Sequence, residues 1–262
     1  MNRNFLPLIV ACISAAFAAK TTIFMGNRVR STAEFPFITL LRSNTSTCSG
    51  TLVSKNMVLT AGHCACLKEP LKTAYFNTKN RRLLHDERPI MLTLVHRDYE
   101  HMCSHLRKGE AVRGMVNDFD MSLAVLAINV DLGDKPELIS LAALDYKLGI
   151  KPGTKVIAVG YGRDMNEKTE YMQRGILKYG KLRTTKCCTK LQNGGLCIKK
   201  GHAGNIQVTA VGDSGGPLLL DSNKAVIGVL SGMKQCKENF KVIEEIIYSN
   251  VGSNKFFFDQ YL

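Results

Sequence analysis

The sequence predicts an all-β protein, a sandwich or barrel of short antiparallel strands. Short apolar runs recur along the chain with turn-forming residues between them, and long helix-period patterns are few. At 262 residues and 45% apolar composition the chain is also long enough to bury a substantial core.

The first segment is an address rather than structure. Met1-Asn2-Arg3 is basic, residues 5–19 are apolar and rich in small side chains, and Ala16-Phe17-Ala18 suits signal peptidase. Residues 1–18 are therefore expected to be a cleaved secretory signal, which makes the protein secreted and extracellular. Past residue 20 no apolar run approaches the roughly 18–20 residues of a spanning helix, so no membrane is expected as a partner.

Strands are expected at 37–41, 50–53, 57–60, 90–95, 121–126, 155–159, 217–220, 226–230 and 246–248. Lys55-Asn56, Lys151-Pro152-Gly153 and Asp221-Ser222-Asn223 supply turns between them. Residues 253–262 suit a short terminal helix. The stretches 65–89 and 97–118 are polar, carry Lys79, Arg81, Arg82, Arg107 and Lys108, and read as long surface loops.

Lys and Arg number 35 against 22 Asp and Glu, a formal net charge of +13. Such a field suits acidic glycans as partners. The densest basic stretch, Lys178, Lys181, Arg183, Lys186, Lys190, Lys199 and Lys200, lacks the signature of a nucleic-acid interface, and no nucleic acid is expected.

Of the 9 cysteines, Cys12 leaves with the signal. The others are Cys48, Cys64, Cys66, Cys103, Cys187, Cys188, Cys197 and Cys236, an even set that implies up to four disulfides in an oxidising compartment. Cys66 and Cys103 lie one in each polar stretch and are expected to pair. Neither Cys64-Ala65-Cys66 nor Cys187-Cys188 has common zinc spacing. His96, His101, Cys103 and His105 cluster in sequence but read as solvated loop residues, so no metal and no cofactor are expected. Asn44-Thr45-Ser46 is an acceptor sequence for N-glycosylation, which places that loop at the surface.

Three segments carry chemistry: Leu59-Thr60-Ala61-Gly62-His63-Cys64, Asn117-Asp118-Phe119-Asp120-Met121-Ser122-Leu123, and Gly212-Asp213-Ser214-Gly215-Gly216-Pro217-Leu218. A serine flanked by glycines sits on a tight turn, where backbone N–H groups can converge on one point. A serine hydroxyl is a poor nucleophile near neutral pH and needs a base, for which histidine is suited. The histidine in turn needs a carboxylate to fix its tautomer and stabilise its charged form.

These segments resemble the His, Asp and Ser motifs of chymotrypsin- and trypsin-like serine proteases, in that family's chain order. The resemblance covers nearly all of residues 24–262. It implies two six-stranded antiparallel Greek-key β-barrels packed face to face with a short C-terminal helix. The N-terminal barrel would span about 24–137 and the C-terminal barrel about 138–262, after a short propeptide at 19–23. It implies a serine endopeptidase acting on protein or peptide substrates, and protease inhibitors as partners. The alternative is a non-catalytic homologue that binds or regulates.

By the same resemblance His63, Asp120 and Ser214 are the catalytic residues, and the N–H groups of Gly212 and Ser214 form the oxyanion hole. Asp120 is preferred over Asp118 because Met121-Ser122-Leu123 follows it as the family's strand does; Ser122 stands where alanine is usual. Cys48 is expected to pair with Cys64, and Cys187 or Cys188 with Cys197. Ala210 stands where a cysteine usually meets the equivalent of Cys236, which frees Cys236 for Cys187 or Cys188. Gly160-Tyr161-Gly162 resembles the family's Gly-Trp-Gly turn.

Activation in the family pairs a newly cut N-terminus with the residue before the nucleophile, here Asp213. The segment that would supply it, Lys20-Thr21-Thr22-Ile23-Phe24-Met25-Gly26-Asn27, departs from the usual Ile-Val-Gly-Gly; position favours Phe24, residue type Ile23, and only Lys20 is a trypsin-type cleavage site. The specificity pocket departs as well. Val208 replaces the aspartate of trypsin-like enzymes, Met233 and Ile246 stand where wall glycines are common, Gly232 replaces the usual tryptophan, and Ser231 resembles the serine that bonds the triad aspartate. With no carboxylate at 208 there is no reason to prefer Lys or Arg, and small aliphatic residues or a shallow site follow.

Overall fold

The computed structural model describes residues 26–110, 115–134, 137–162, 175–199 and 212–262. The expected signal and propeptide, together with Val208 and Ala210, lie outside these residues.

The described chain opens with a two-residue strand, β1 (Asn27–Arg28), and a single helical turn at Thr32–Glu34. Ser31 and Glu34 close that turn as a capping box: Ser31 Oγ accepts from the Ala33 N–H, and Glu34 Oε1 accepts from the Ser31 N–H at 3.2 Å. Six strands then close a barrel: β2 (Ile38–Arg42), β3 (Thr47–Ser54), β4 (Met57–Thr60), β5 (Thr73–Tyr75), β6 (Glu87–Val95) and β7 (Ser122–Leu126). Their order is β2-β3-β4-β7-β6-β5, with β5 returning to β2. Two helices interrupt the sequence, α1 (Gly62–Ala65) after β4 and α2 (Glu100–Arg107) after β6.

The C-terminal half adds β8 (Lys155–Gly160), β9 (Lys178–Arg183), β10 (Leu196–Lys199), β11 (Pro217–Leu220), β12 (Val226–Glu238), β13 (Lys241–Asn250) and a final helix, α3 (Lys255–Asp259). The sheet runs β1-β9-β8-β11-β12-β13-β10, and every named pairing is antiparallel. Thr185, just past β9, bridges Cys197 in β10, so the two ends of the six C-terminal strands curl toward each other. This is the two-barrel, all-β architecture implied above, with β1 as an additional edge strand.

Each barrel has its own interior. Leu40, Leu52, Val58, Leu59, Ala74 and Leu123 are fully buried in the first. Val156, Leu196, Leu218, Leu230, Ile246 and Tyr248 fill the second. The terminal helix buries Phe257 and Phe258, stacking Phe257 on His96 with centroids 5.2 Å apart and Phe258 on Tyr146 at 5.8 Å. Burying one such ring contributes roughly 1.5–3 kcal/mol, which is why so short a helix stays docked.

The polar stretches differ from the surface loops expected of them. Residues 65–89 contain β5 and the start of β6, and residues 97–118 contain α2. Arg81 is half-buried rather than exposed. Much of the basic stretch beginning at Lys178 is strand, in β9 and β10, with Lys178 itself buried. The strand expected at 226–230 continues to Glu238. Asn44 is exposed, in keeping with a surface loop.

Four disulfides staple the fold: Cys48–Cys64, Cys66–Cys103, Cys187–Cys197 and Cys188–Cys236. The first two are the expected pairs. The last two resolve the alternatives left open for Cys187 and Cys188. Among the described residues no helix is long and apolar enough to cross a membrane.

Candidate active site

His63 is delivered by the shortest route the barrel offers. Strand β4 ends at Thr60, and α1 starts two residues later with His63 as its second residue. The Cys48–Cys64 disulfide ties α1 back to β3. On the other side the ring of Tyr99 packs where a side chain on Gly62 would stand. The phenol of Tyr99 donates to the Met115 carbonyl at 2.9 Å, and burial followed by the nearby Asp120 charge pushes its pKa well up.

Asp120 lies two residues before β7, which runs antiparallel to β4 with Ser122 opposite Thr60. That register brings the carboxylate to His63. The His63 N–H donates to Asp120 Oδ1 at 2.7 Å, and the ring Nδ1 meets Oδ2 at 2.7 Å. Ser231, from the middle of β12, donates its hydroxyl to the same Oδ2 at 2.6 Å, and its oxygen accepts the Asn117 N–H at 3.1 Å. Asp120 is fully buried and His63 is 8% exposed. Asp118 faces elsewhere: its carboxylate accepts the Asn193 N–H and its carbonyl accepts Asn254 Nδ2 at 3.0 Å. Ser122, at the usual alanine position, donates to the Ala61 carbonyl at 2.9 Å and so fastens β7 to the root of α1.

Two forces act on the imidazole. Burial pulls its pKa down, and the charge of Asp120 and the hydrogen bond to it push it up. The Asp120 effects together prevail, so His63 titrates above its ordinary 6.5. Its Nε2 faces the Cys64 sulfur at 3.7 Å.

Ser214 rides on a four-residue turn. The Gly216 N–H donates to the Asp213 carbonyl at 2.8 Å, and Gly215, third in the turn, has φ +78°. A turn of that shape needs glycine there. The space is also taken: a Cβ on Gly215 would come within 2.6 Å of the Ser49 carbonyl and 2.8 Å of the Ala61 nitrogen. Gly215→Ala is therefore expected to destabilise the protein by at least about 2 kcal/mol, from left-handed strain plus collision with backbone, as a lower denaturation midpoint would record.

The turn is anchored on β3. The Ser49 N–H donates to the Ser214 carbonyl at 2.8 Å, and the Ser49 hydroxyl donates to the Gly212 carbonyl at 2.9 Å while accepting the Tyr161 N–H at 3.1 Å. Asp213 is buried, and its Oδ1 accepts the Gly162 N–H at 2.6 Å. Behind the turn, the Arg81 guanidinium fills the space beside Gly212, with Cζ 2.9 Å from where a Cβ would stand. The Arg81 backbone N–H donates to the Gly175 carbonyl at 3.1 Å. Arg81 is not legible in the sequence as a neighbour of this turn, because it sits in no motif.

A family model described as Trypsin matches residues 24–251. The chain belongs to the trypsin family. It is 33% identical over 232 residues to the cercarial protease of Schistosoma mansoni, covering 86% of this chain and 85% of that protein. It is 27% identical over 237 residues to kallikrein 1-related peptidase b1 of Mus musculus, covering 87% and 84%. Kallikrein-8 of Homo sapiens is 27% identical over 210 residues, covering 78% and 72%. Membership makes this chain a serine protease, with proteins or peptides as its substrates.

Met233 and Ile246, expected from the resemblance as specificity walls, lie on β12 and β13. Strands β12 and β13 pair without a gap past Gly232, with Met233 opposite Ile246, Lys234 opposite Glu245 and Gln235 opposite Glu244. Ile246 is buried in the second barrel core and Met233 is exposed. Glu245 is fully buried, with one oxygen accepting the Cys188 N–H at 2.6 Å and the other the Thr189 N–H at 2.8 Å. The Cys188–Cys236 disulfide fastens the same loop to β12. Val208 cannot be placed against these walls because it lies outside the described residues.

Proposed function

We propose that this trypsin-family chain is a secreted serine endopeptidase that works through an acyl-enzyme, with Ser214 as nucleophile. His63 takes the Ser214 proton as the hydroxyl attacks a peptide carbonyl and returns it to the leaving amine. Asp120 holds the imidazole through Nδ1 and stabilises its cationic form. The N–H groups of Gly212 and Ser214 receive the oxyanion, and water completes the cycle by the same route. His63 Nε2 meets the Cys64 sulfur at 3.7 Å, and the Ser214–His63 hydrogen bond forms when substrate binds, since catalytic hydrogen bonds are commonly long or misaligned before then. The observation that carries this reading is the buried His63–Asp120–Ser231 network, at 2.7 and 2.6 Å. A binding protein has no need of a histidine so tuned.

Secretion follows the basic–apolar–small order of residues 1–18. Asp213 takes the ammonium of the cut N-terminus; its burial supports this, since a buried carboxylate gains most from an opposite charge. The residue before the scissile bond is uncharged. Val208 offers no carboxylate, and both Glu245 oxygens are committed to backbone N–H groups. Protease inhibitors and acidic glycans are the further partners.

Fluorophosphonate labelling of the processed protein tests the nucleophile. Covalent modification at Ser214, absent in Ser214→Ala, is the expected result. No modification of correctly processed, folded protein would instead make the chain a non-catalytic homologue. A peptide library tests specificity. Cleavage after Lys or Arg is expected to be at least ~10-fold poorer than after apolar residues, and the reverse order would refute the uncharged pocket.

A further inference from the structure

Helix α2 has one face turned inward and one outward. Cys103 is fully buried and bonded to Cys66, while His101 and His105 lie one turn apart on the opposite face. Their rings stand edge to face, with centroids 5.1 Å apart. His101 is exposed and His105 partly so.

The end of the helix prepares His105 further. Gly109 adopts φ +75°, its N–H donates to the Leu106 carbonyl at 2.9 Å, and the Glu110 N–H donates to the His105 carbonyl at 3.1 Å. These two bonds and the left-handed glycine make a Schellman cap. The cap folds Glu110 back over the last turn, where Oε2 meets His105 Nδ1 at 2.5 Å. A carboxylate can only accept, so Nδ1 is the donor, and in the neutral ring Nε2 keeps its lone pair. A carboxylate that fixes the tautomer from behind is the usual support of a metal-ligating histidine. Glu100 holds Arg107 at 3.9 Å, which engages that guanidinium on the same helix.

We propose that His101 and His105 form a surface site for one divalent transition-metal ion of the Zn²⁺ type. The Nε2 atom of His105 and an imidazole nitrogen of His101 are the protein ligands, Glu110 orients His105, and water completes the shell. This departs from the solvated-loop expectation for these histidines, because residues 97–118 contain a helix that brings two of them together. His96 and Cys103 take no part: His96 stacks on Phe119 and Phe257, and Cys103 is in a disulfide. The site lies outside the His63–Asp120 network and stands whether or not the proposed proteolysis is correct.

Isothermal titration of ZnCl₂ into the secreted full chain at pH 7.5 tests it, with Ser214→Ala as background to prevent self-cleavage. Saturable binding of one ion per chain is expected. His101→Ala and His105→Ala should each abolish it, and Glu110→Gln should weaken it about 10-fold. These positions are at the surface, and circular dichroism checks that the variants are folded. Absence of saturable binding overturns the proposal, and so does binding that survives the double histidine substitution.

Discussion

Ser214→Ala is expected to lower kcat by about 10⁶-fold, the scale found when a triad nucleophile is removed. Some rate over water should remain, because the oxyanion N–H groups and substrate binding do not depend on the hydroxyl. Stability should move by less than about 0.5 kcal/mol. The fold holds the turn through the Ser214 carbonyl, not its hydroxyl, and the carbonyl is untouched. A loss of kcat under ten-fold in folded protein would remove Ser214 from the mechanism.

Asp120→Asn is the second large effect, expected at about 10⁴-fold in kcat. An amide donates toward Nδ1 where the carboxylate accepted. The imidazole then adopts the other tautomer and presents a proton, not a lone pair, at Nε2. The pH profile gives a second readout. His63 must be neutral to act as base, so wild-type activity falls as pH drops through its raised pKa. In Asp120→Asn the upward push of Asp120 is gone and burial still pulls down, so the acid limb should move to lower pH. An unmoved limb would mean that Asp120 does not set the His63 pKa. Ser231→Ala would be a milder probe of the same carboxylate, since it removes one of its donors.

Much of this architecture could be read from local sequence, for reasons that particular elements make clear. β4 and β11 match their expected limits because each is an apolar run with turn residues beside it. The apolar pattern ends at Leu230 because the continuation of β12, including Lys234, Gln235, Lys237 and Glu238, has no buried apolar face. Those residues are strand because β13 pairs with them, a tertiary cause that no window of sequence contains. Helix α2 is not legible in the sequence for a related reason. Cys103 is its one buried residue, and no side chain caps its start.

The candidate site followed the same division. His63, Asp120 and Ser214 sit in compact motifs, and their types state the chemistry. Two aspartates two residues apart could not be separated by composition. Packing separates them, sending Asp118 to Asn193 and Asp120 to His63. Arg81 looked like one more loop cation, and only the fold sets it behind Gly212.

Cys48 and Ser49 are adjacent on β3, yet one is bonded to the helix bearing the imidazole and the other to the turn bearing the hydroxyl. His63 and Ser214, separated by some 150 positions of chain, thus share a single mounting rail. A shift of β3 would therefore act on the helix bearing His63 and on the turn bearing Ser214 together. Distant loops are free to lengthen or change without misaligning them, whereas a one-residue slip of this strand would disarm both at once.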